Sequence, residues 1–223
     1  MNEQTSLPPE LTFLKYRSSS SDRLIGRHKY HPYAVFVPFL TIQGQTHWLF
    51  EVRARGIRQG GEVCFPGGGV ELQEGEEPKE AAIRETAEEL GISQENIKVF
   101  GCLGHLVTHW GGVIDVFYGT LDSWFPDFTP QNDEVSEAFT VPLSYFLTTP
   151  PEVYYFQQVI KPNFKDPKKG VQRLPWKELG LPSLYGKPWT LRTYPVYFYQ
   201  WGGKTIWGLT ADIIREMLEI LKS

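Results

Sequence analysis

The apolar residues of this chain come in short runs whose spacing changes along its length. From Tyr33 to Leu40 nearly every position is apolar, which predicts a buried strand. Gln43-Gly44-Gln45 breaks the run as a turn, and His47 to Arg53 reads as the hairpin partner. At Pro78 the pattern becomes helical. Pro78 suits a first-turn position, Gly91 suits a C-terminal cap, and nearly all residues between them are good helix formers. Ile97 to Leu103 and Val113 to Tyr118 read as further strands. A loop at Asn132-Asp133-Glu134 precedes a short strand, Glu137 to Val141, and a short helix from Pro142 to Leu147. Tyr194 to Tyr199 and Lys204 to Trp207 read as a closing hairpin that turns at Gly202-Gly203. Thr210 then caps a last helix, where Ile213, Ile214, Met217, Leu218 and Leu221 follow helical spacing. Strands and helices interleaved in this way predict an α/β sandwich with a mixed sheet. Residues 1–30, with serines from Ser18 to Ser21, are expected to form a loose lead-in. Residues 31–223 are expected to form a single domain, with 161–189, rich in Pro, Gly and Lys, as an excursion from it.

The helix from Pro78 to Leu90 carries the first chemical signal. At ~100° per residue, Ile83, Ala87 and Leu90 fall on one side, and Glu85, Glu88 and Glu89 fall on the other. Like charges three and four residues apart destabilise an isolated helix. A hard divalent cation such as Mg²⁺, which prefers carboxylate oxygens, reverses that penalty. An acidic helix face by itself is usually just solvated surface. The run before it, Phe65-Pro66-Gly67-Gly68-Gly69, changes the picture, because a glycine-rich loop lets backbone groups approach a ligand closely.

Composition narrows the classes. With 41% apolar and 22% charged residues the chain has the balance of a globular protein. Its net charge of -4 argues against nucleic acid as a partner, so an anionic substrate needs a local cation or a small basic patch. Cys64 and Cys102 provide neither a disulfide framework nor zinc spacing. No apolar run approaches the ~18–20 residues of a membrane span, and the start lacks a signal-peptide pattern. The expectation is a cytoplasmic protein with no membrane partner. A homodimer is one assembly the sequence allows.

The acidic helix and the loop before it resemble the Nudix box. That family's pattern is Gly, five residues, Glu, seven residues, then Arg-Glu-apolar-any-Glu-Glu-any-Gly-apolar. Here Glu76 is followed after seven residues by Arg84-Glu85-Thr86-Ala87-Glu88-Glu89-Leu90-Gly91-Ile92, with Thr86 at an apolar position. The interval from Gly69 to Glu76 is one residue longer than the pattern, and the extra length falls around Gln73-Glu74. The resemblance implies a Nudix-type α/β/α sandwich. It also implies that Glu85, Glu88 and Glu89 hold Mg²⁺ or Mn²⁺, with the Gly68 carbonyl as a further ligand and Arg84 orienting the carboxylates.

A second stretch resembles the motif upstream of the box in Nudix coenzyme A pyrophosphatases. Arg53, Ala54, Arg58, Gly61 and Phe65-Pro66-Gly67-Gly68 find partners there, while the Arg58–Gly61 interval is one residue shorter than the pattern and Phe50-Glu51 stands where it has Leu-Thr. Ile206 to Ala211 and Glu134 to Glu137 are also similar to that subfamily. The implied substrate is a small diphosphate of the coenzyme A type, cut to 4′-phosphopantetheine, or its acyl form, and adenosine 3′,5′-bisphosphate. Arg53 and Arg58, with Gly67 and Gly68, are the implied phosphate-binding residues, since arginine's planar fork suits phosphate. Glu134 is the implied further ligand or general base. Two other readings stand beside this one: a Nudix enzyme for ADP-ribose or a dinucleotide, and a module that binds without catalysis. The aromatic cluster of Tyr194, Tyr197, Phe198 and Tyr199 is expected in the core.

Overall fold

A computed structural model describes residue 24 and residues 26–122 and 133–222. Most of the lead-in, and Asn132 of the loop before Glu134, lie outside these residues. The strands, in chain order, are β1 (His31–Ile42), β2 (Gln45–Arg53), β3 (Val63–Cys64), β4 (Gly67–Gly69), β5 (Ile97–Val107), β6 (Gly112–Leu121), β7 (Val135–Pro142), β8 (Glu152–Ile160), β9 (Asn163–Asp166), β10 (Gly170–Arg173), β11 (Trp189–Trp201) and β12 (Lys204–Trp207). The helices are α1 (Pro78–Leu90), α2 (Leu143–Thr148) and α3 (Gly208–Lys222).

A seven-stranded sheet forms the centre, in the order β3-β2-β1-β6-β5, with β4 paired to β1 and β7 to β2. The β1–β6 pair is parallel and its other pairs are antiparallel, so the sheet is mixed as expected. Both faces of β1 are buried. Ala34, Phe36 and Leu40 point to one side, where Ala81, Ala82, Ala87 and Leu90 of α1 cover them. Val35, Val37 and Phe39 point to the other, against Ile213, Ile214, Met217 and Leu218 of α3. A strand covered twice has no polar face, which is why its sequence shows a continuous apolar run and not alternation. The result is an α/β/α sandwich.

Three elements depart from the sequence-based expectation. β8 was not foreseen: its Val153, Tyr154, Tyr155 and Phe156 show no alternation and are largely exposed, and it is held by β11, which lies some thirty residues further along. The 161–189 excursion contains a two-stranded hairpin, β9–β10. Thr210 does not cap α3, which begins at Gly208; its hydroxyl instead donates to the Val63 carbonyl at 3.1 Å, tying α3 to β3.

Candidate active site

α1 is fixed firmly at both ends. Glu77 and Glu80 form a reciprocal capping box, with the Glu77 N–H donating to Glu80 Oε2 at 3.0 Å. Gly91 closes the other end at φ +66°, a conformation favouring glycine. This sets the rotation of the helix against β1 and hence the directions of its carboxylates.

Those carboxylates do not share one solvated face. The Glu88 side chain is 57% exposed, that of Glu85 is mostly covered, and Glu89 is 2% exposed. The cause is β4, which pairs with β1 and lies across the helix. The Gly67 N–H donates to Glu89 Oε2 at 2.8 Å. At Gly68 an added Cβ would lie 2.5 Å from the Glu85 carboxylate oxygens, so only glycine lets that carboxylate lie against the strand.

Arg84 joins these parts. Its Nε and one terminal nitrogen donate to the two oxygens of Glu76 at 2.8 and 3.2 Å. It also donates to Glu85 at 2.9 Å, to Glu88 at 3.4 Å and to the Gly69 carbonyl at 3.1 Å. Hydrogen bonds from Arg84 hold the Glu76 carboxyl below the usual range. The additional loop length is absorbed by a single 3₁₀ turn, Leu72–Glu74, closed by Gly75 at φ +78°, and Glu76 still reaches Arg84. Glu76 therefore anchors the arginine.

Sequence reasoning missed Glu51. It lies on β2 at 0% exposure, facing α1. The Cys64 thiol, paired across from it in register, donates to Glu51 Oε1 at 3.3 Å. Its Oε2 has no hydrogen-bond donor among the described residues. The Glu51 and Glu89 carboxyls lie within hydrogen-bonding reach of each other. Burial pushes both above the ordinary carboxylate range, and for Glu89 the neighbouring Glu51 adds to it. Burial, with Glu51 alongside, likewise pushes the Cys64 thiol up, so it stays protonated. A glutamate inside the apolar run Trp48-Leu49-Phe50-Glu51-Val52 was the available signal, because a fully buried acid has a partner or a function.

This pair has a consequence for the metal-free chain. Both folded-state values are raised, so the fold holds more protons than the unfolded chain between the two sets of values. Stability is then complete below the unfolded carboxyl value and lost as pH rises toward the folded ones. Thermal unfolding in chelator is expected to show a falling Tm from roughly pH 5 to pH 8, with a flatter slope in Glu51→Gln.

Glu85, Glu89 and Glu134 line a cavity of about 460 Å³ together with Arg53, Arg58, Gly67 and Gly68. Glu134 is brought there by its carbonyl, which accepts from the Ala54 N–H at the end of β2 at 2.7 Å. The Arg58 guanidinium sits over the Trp110 ring, 5.9 Å from its centre, and Arg53 Nε donates to the Arg58 carbonyl at 3.3 Å. Burial raises the Glu85 carboxyl, while Arg84 opposes the shift and Glu134 adds to it. Arg55 is exposed and lines neither this cavity nor the next.

A second cavity, of about 370 Å³, joins the first at Val35, Arg53, Gly67, Trp110 and Leu209. Its wall is largely apolar and aromatic, with Phe65, Phe156, Tyr194, Val196, Trp207 and Ile213. The structure thus divides the aromatic cluster. Tyr199 is buried core, but Tyr194 faces the cavity, its ring 6.2 Å from that of His109 and 4.8 Å from the Arg192 guanidinium. Outside both cavities, His105 pairs with Asp115, which also accepts from Arg27 at 3.0 Å.

Comparison with known proteins agrees with this geometry. Residues 30–164, more than half of the chain, match the NUDIX domain family. A peroxisomal coenzyme A diphosphatase of Mus musculus is 35% identical over 152 residues, which are 64% of this chain and 63% of that protein. A mitochondrial coenzyme A diphosphatase of Homo sapiens is 31% identical over 124 residues, 54% of this chain and 52% of that protein. Nudix hydrolase 3 of Caenorhabditis elegans is 26% identical over 194 residues, 84% of this chain and 72% of that protein. The chain therefore spans under two thirds of the length of both coenzyme A diphosphatases. Among the described residues no helix is long and apolar enough to cross a membrane. With its arginine-and-glutamate helix seated beneath a glycine strand and the family match running across both, this chain belongs to the NUDIX domain family.

Proposed function

We propose that this chain is a metal-dependent diphosphatase that hydrolyses coenzyme A and its acyl derivatives. The observation that carries the reading is the junction of two unlike cavities. One is lined by carboxylates and arginines, and the other by aromatic and aliphatic side chains. A substrate with a charged diphosphate and a long neutral arm matches that junction. The coenzyme A diphosphatase relatives support the same substrate class.

Among the described residues no three acidic, His or Cys side chains already enclose a cation site, so the fit to a hard divalent cation lies in the chemistry of the donors. Glu85, Glu88 and Glu89 supply only oxygens, and the buried Glu51 Oε2 beside Glu89 lacks a donor among the described residues. In this reading Glu85, Glu88, Glu89 and the Gly68 carbonyl hold Mg²⁺ or Mn²⁺. When bound, such an ion neutralises negative charge developing on the phosphoryl oxygens and lowers the pKa of water.

The remaining work falls to the protein's own groups. Arg53 and Arg58 bind phosphate oxygens through the planar guanidinium, and Trp110 restricts the swing of Arg58. Arg84 ties Glu85 and Glu88 to the glycine strand through its bonds to both carboxylates and to the Gly69 carbonyl. Glu85 and Glu134 are the two candidates to accept the proton from the attacking water. Both line the cavity of carboxylates and arginines, and Glu85 is also held by Arg84. The aromatic wall formed by Trp110, His109 and Tyr194 receives the part of the substrate beyond the diphosphate.

The test is a substrate comparison with Mg²⁺ present. Coenzyme A is expected to have a kcat/KM at least ~10-fold above that of ADP-ribose, which lacks the pantetheine arm that the apolar cavity would bury. A markedly faster reaction with ADP-ribose would overturn the substrate assignment and leave the diphosphatase chemistry standing.

A further inference from the structure

The carboxylate that nothing in the Nudix-box resemblance accounts for is Glu51. We propose that Glu51 is itself a cation ligand, completing with Glu89 an inner position behind the one offered by Glu85 and Glu88. This inference rests on the proposed reading of the α1 carboxylates as metal-binding.

Several independent observations lead there. Glu51 is wholly buried, and its Oε1 is engaged by the Cys64 thiol at 3.3 Å. Its Oε2 is sealed from solvent and meets no hydrogen-bond donor among the described residues. The Glu51 carboxyl lies within reach of another carboxyl, Glu89, whose Oε2 accepts from the Gly67 N–H. Two buried acids facing each other need a positive charge or a proton between them. Arg53 is the cation that acts on Glu51, Glu89 and Cys64 together, yet its Nε hydrogen bond goes to the Arg58 carbonyl. The Glu51 and Glu89 carboxyls thus adjoin, and among the described residues no lysine or arginine forms an ion pair with either.

The chemistry of the spot selects the ion. Its free donors are carboxylate oxygens, since the one nearby sulfur is a protonated thiol donating to Glu51. Oxygen-only donors favour Mg²⁺ or Mn²⁺ over zinc. Position also matters. Glu51 sits on β2, in the central sheet, whereas Glu85, Glu88 and Glu89 sit on α1. A cation shared by Glu51 and Glu89 would cross-link the helix to the sheet beneath the glycine strand. That arrangement predicts that metal stabilises this chain as well as activating it.

The test uses Mn²⁺ and Tb³⁺ as probes on the full chain. Mn²⁺ binding is titrated by electron paramagnetic resonance for wild type, Glu51→Gln and Glu51→Val. Tb³⁺ luminescence lifetimes in H₂O and D₂O count the coordinated waters. Thermal unfolding in chelator establishes that each variant is folded. The isosteric Gln and the strand-favouring Val keep the test open should one of them fail to fold. Both variants are expected to weaken the tightest Mn²⁺ site at least ~10-fold. Glu51→Val is expected to add coordinated water to Tb³⁺, which a residue that merely positions Glu89 would not do. The Mn²⁺-induced rise in Tm is expected to shrink in both. Unchanged Mn²⁺ affinity, or unchanged water coordination of Tb³⁺ in Glu51→Val, would overturn the proposal. Failure of the wild type to bind Mn²⁺ would instead overturn the underlying reading of α1.

Discussion

Replacing Glu88 and Glu89 together with glutamine is expected to lower diphosphate turnover at least ~10²-fold while leaving the fold intact. The loss follows from removing two of the three α1 carboxylates proposed to hold the metal, and with them much of the charge that attracts it. The fold survives for a reason specific to each position. Glu88 is exposed and packs against nothing in the core. Glu89 is buried, but the bond it accepts from the Gly67 N–H can pass to the amide oxygen of glutamine. The metal-free variant even sheds the burden of a buried acid beside Glu51. Steady-state kinetics with coenzyme A, alongside circular dichroism and thermal unfolding, check both halves. Turnover within a few-fold of wild type would remove α1 from the mechanism.

The three consecutive glycines are expected to respond quite differently to alanine. Gly67 has φ +147°, and a Cβ there would press on the Ala34 carbonyl and come within 2.7 Å of Val35 Cα, both backbone atoms of β1. Neither atom can yield without moving β1, so Gly67→Ala is expected to cost about 3 kcal/mol, a fall of roughly 6–12 °C in Tm. At Gly68 the obstacle is the Glu85 carboxylate, the end of a flexible side chain. Gly68→Ala is therefore expected to keep most of its stability and lose activity as Glu85 is displaced. At Gly69 a Cβ meets nothing within 4 Å among the described residues, so Gly69→Ala is expected to unfold within ~1 kcal/mol of wild type. Thermal unfolding and coenzyme A turnover of the three variants separate a structural, a chemical and a neutral glycine. Equal effects at Gly67 and Gly69 would contradict the described path of β4.

Much of this site was legible because its signals are local. Pro78 and Gly91 bound α1 in the sequence, and the spacing of Arg84, Glu85, Glu88 and Glu89 placed them together. The helical wheel failed at Glu89 for a physical reason. It treats a helix as bare, and here β4 folds over the face that the wheel assigns to solvent. Glu51 escaped notice because a single acid in a strand reads as the polar half of an alternation. Only the packing of α1 against β2 shows that this face is interior. β8 and the cavity role of Tyr194 depend on pairing with residues far along the chain, which periodicity does not report. The fold class itself needed none of these contacts, since interleaved strands and helices with a doubly buried β1 already imply a layered sandwich.

Metal-dependent diphosphate hydrolysis is tested by following coenzyme A with the purified chain, in Mg²⁺ and in chelator, and identifying the products by mass. 4′-Phosphopantetheine and adenosine 3′,5′-bisphosphate are expected in equal amounts with Mg²⁺, and neither in chelator. Cleavage undiminished by chelator, or intact coenzyme A in the presence of metal, would contradict metal-dependent hydrolysis.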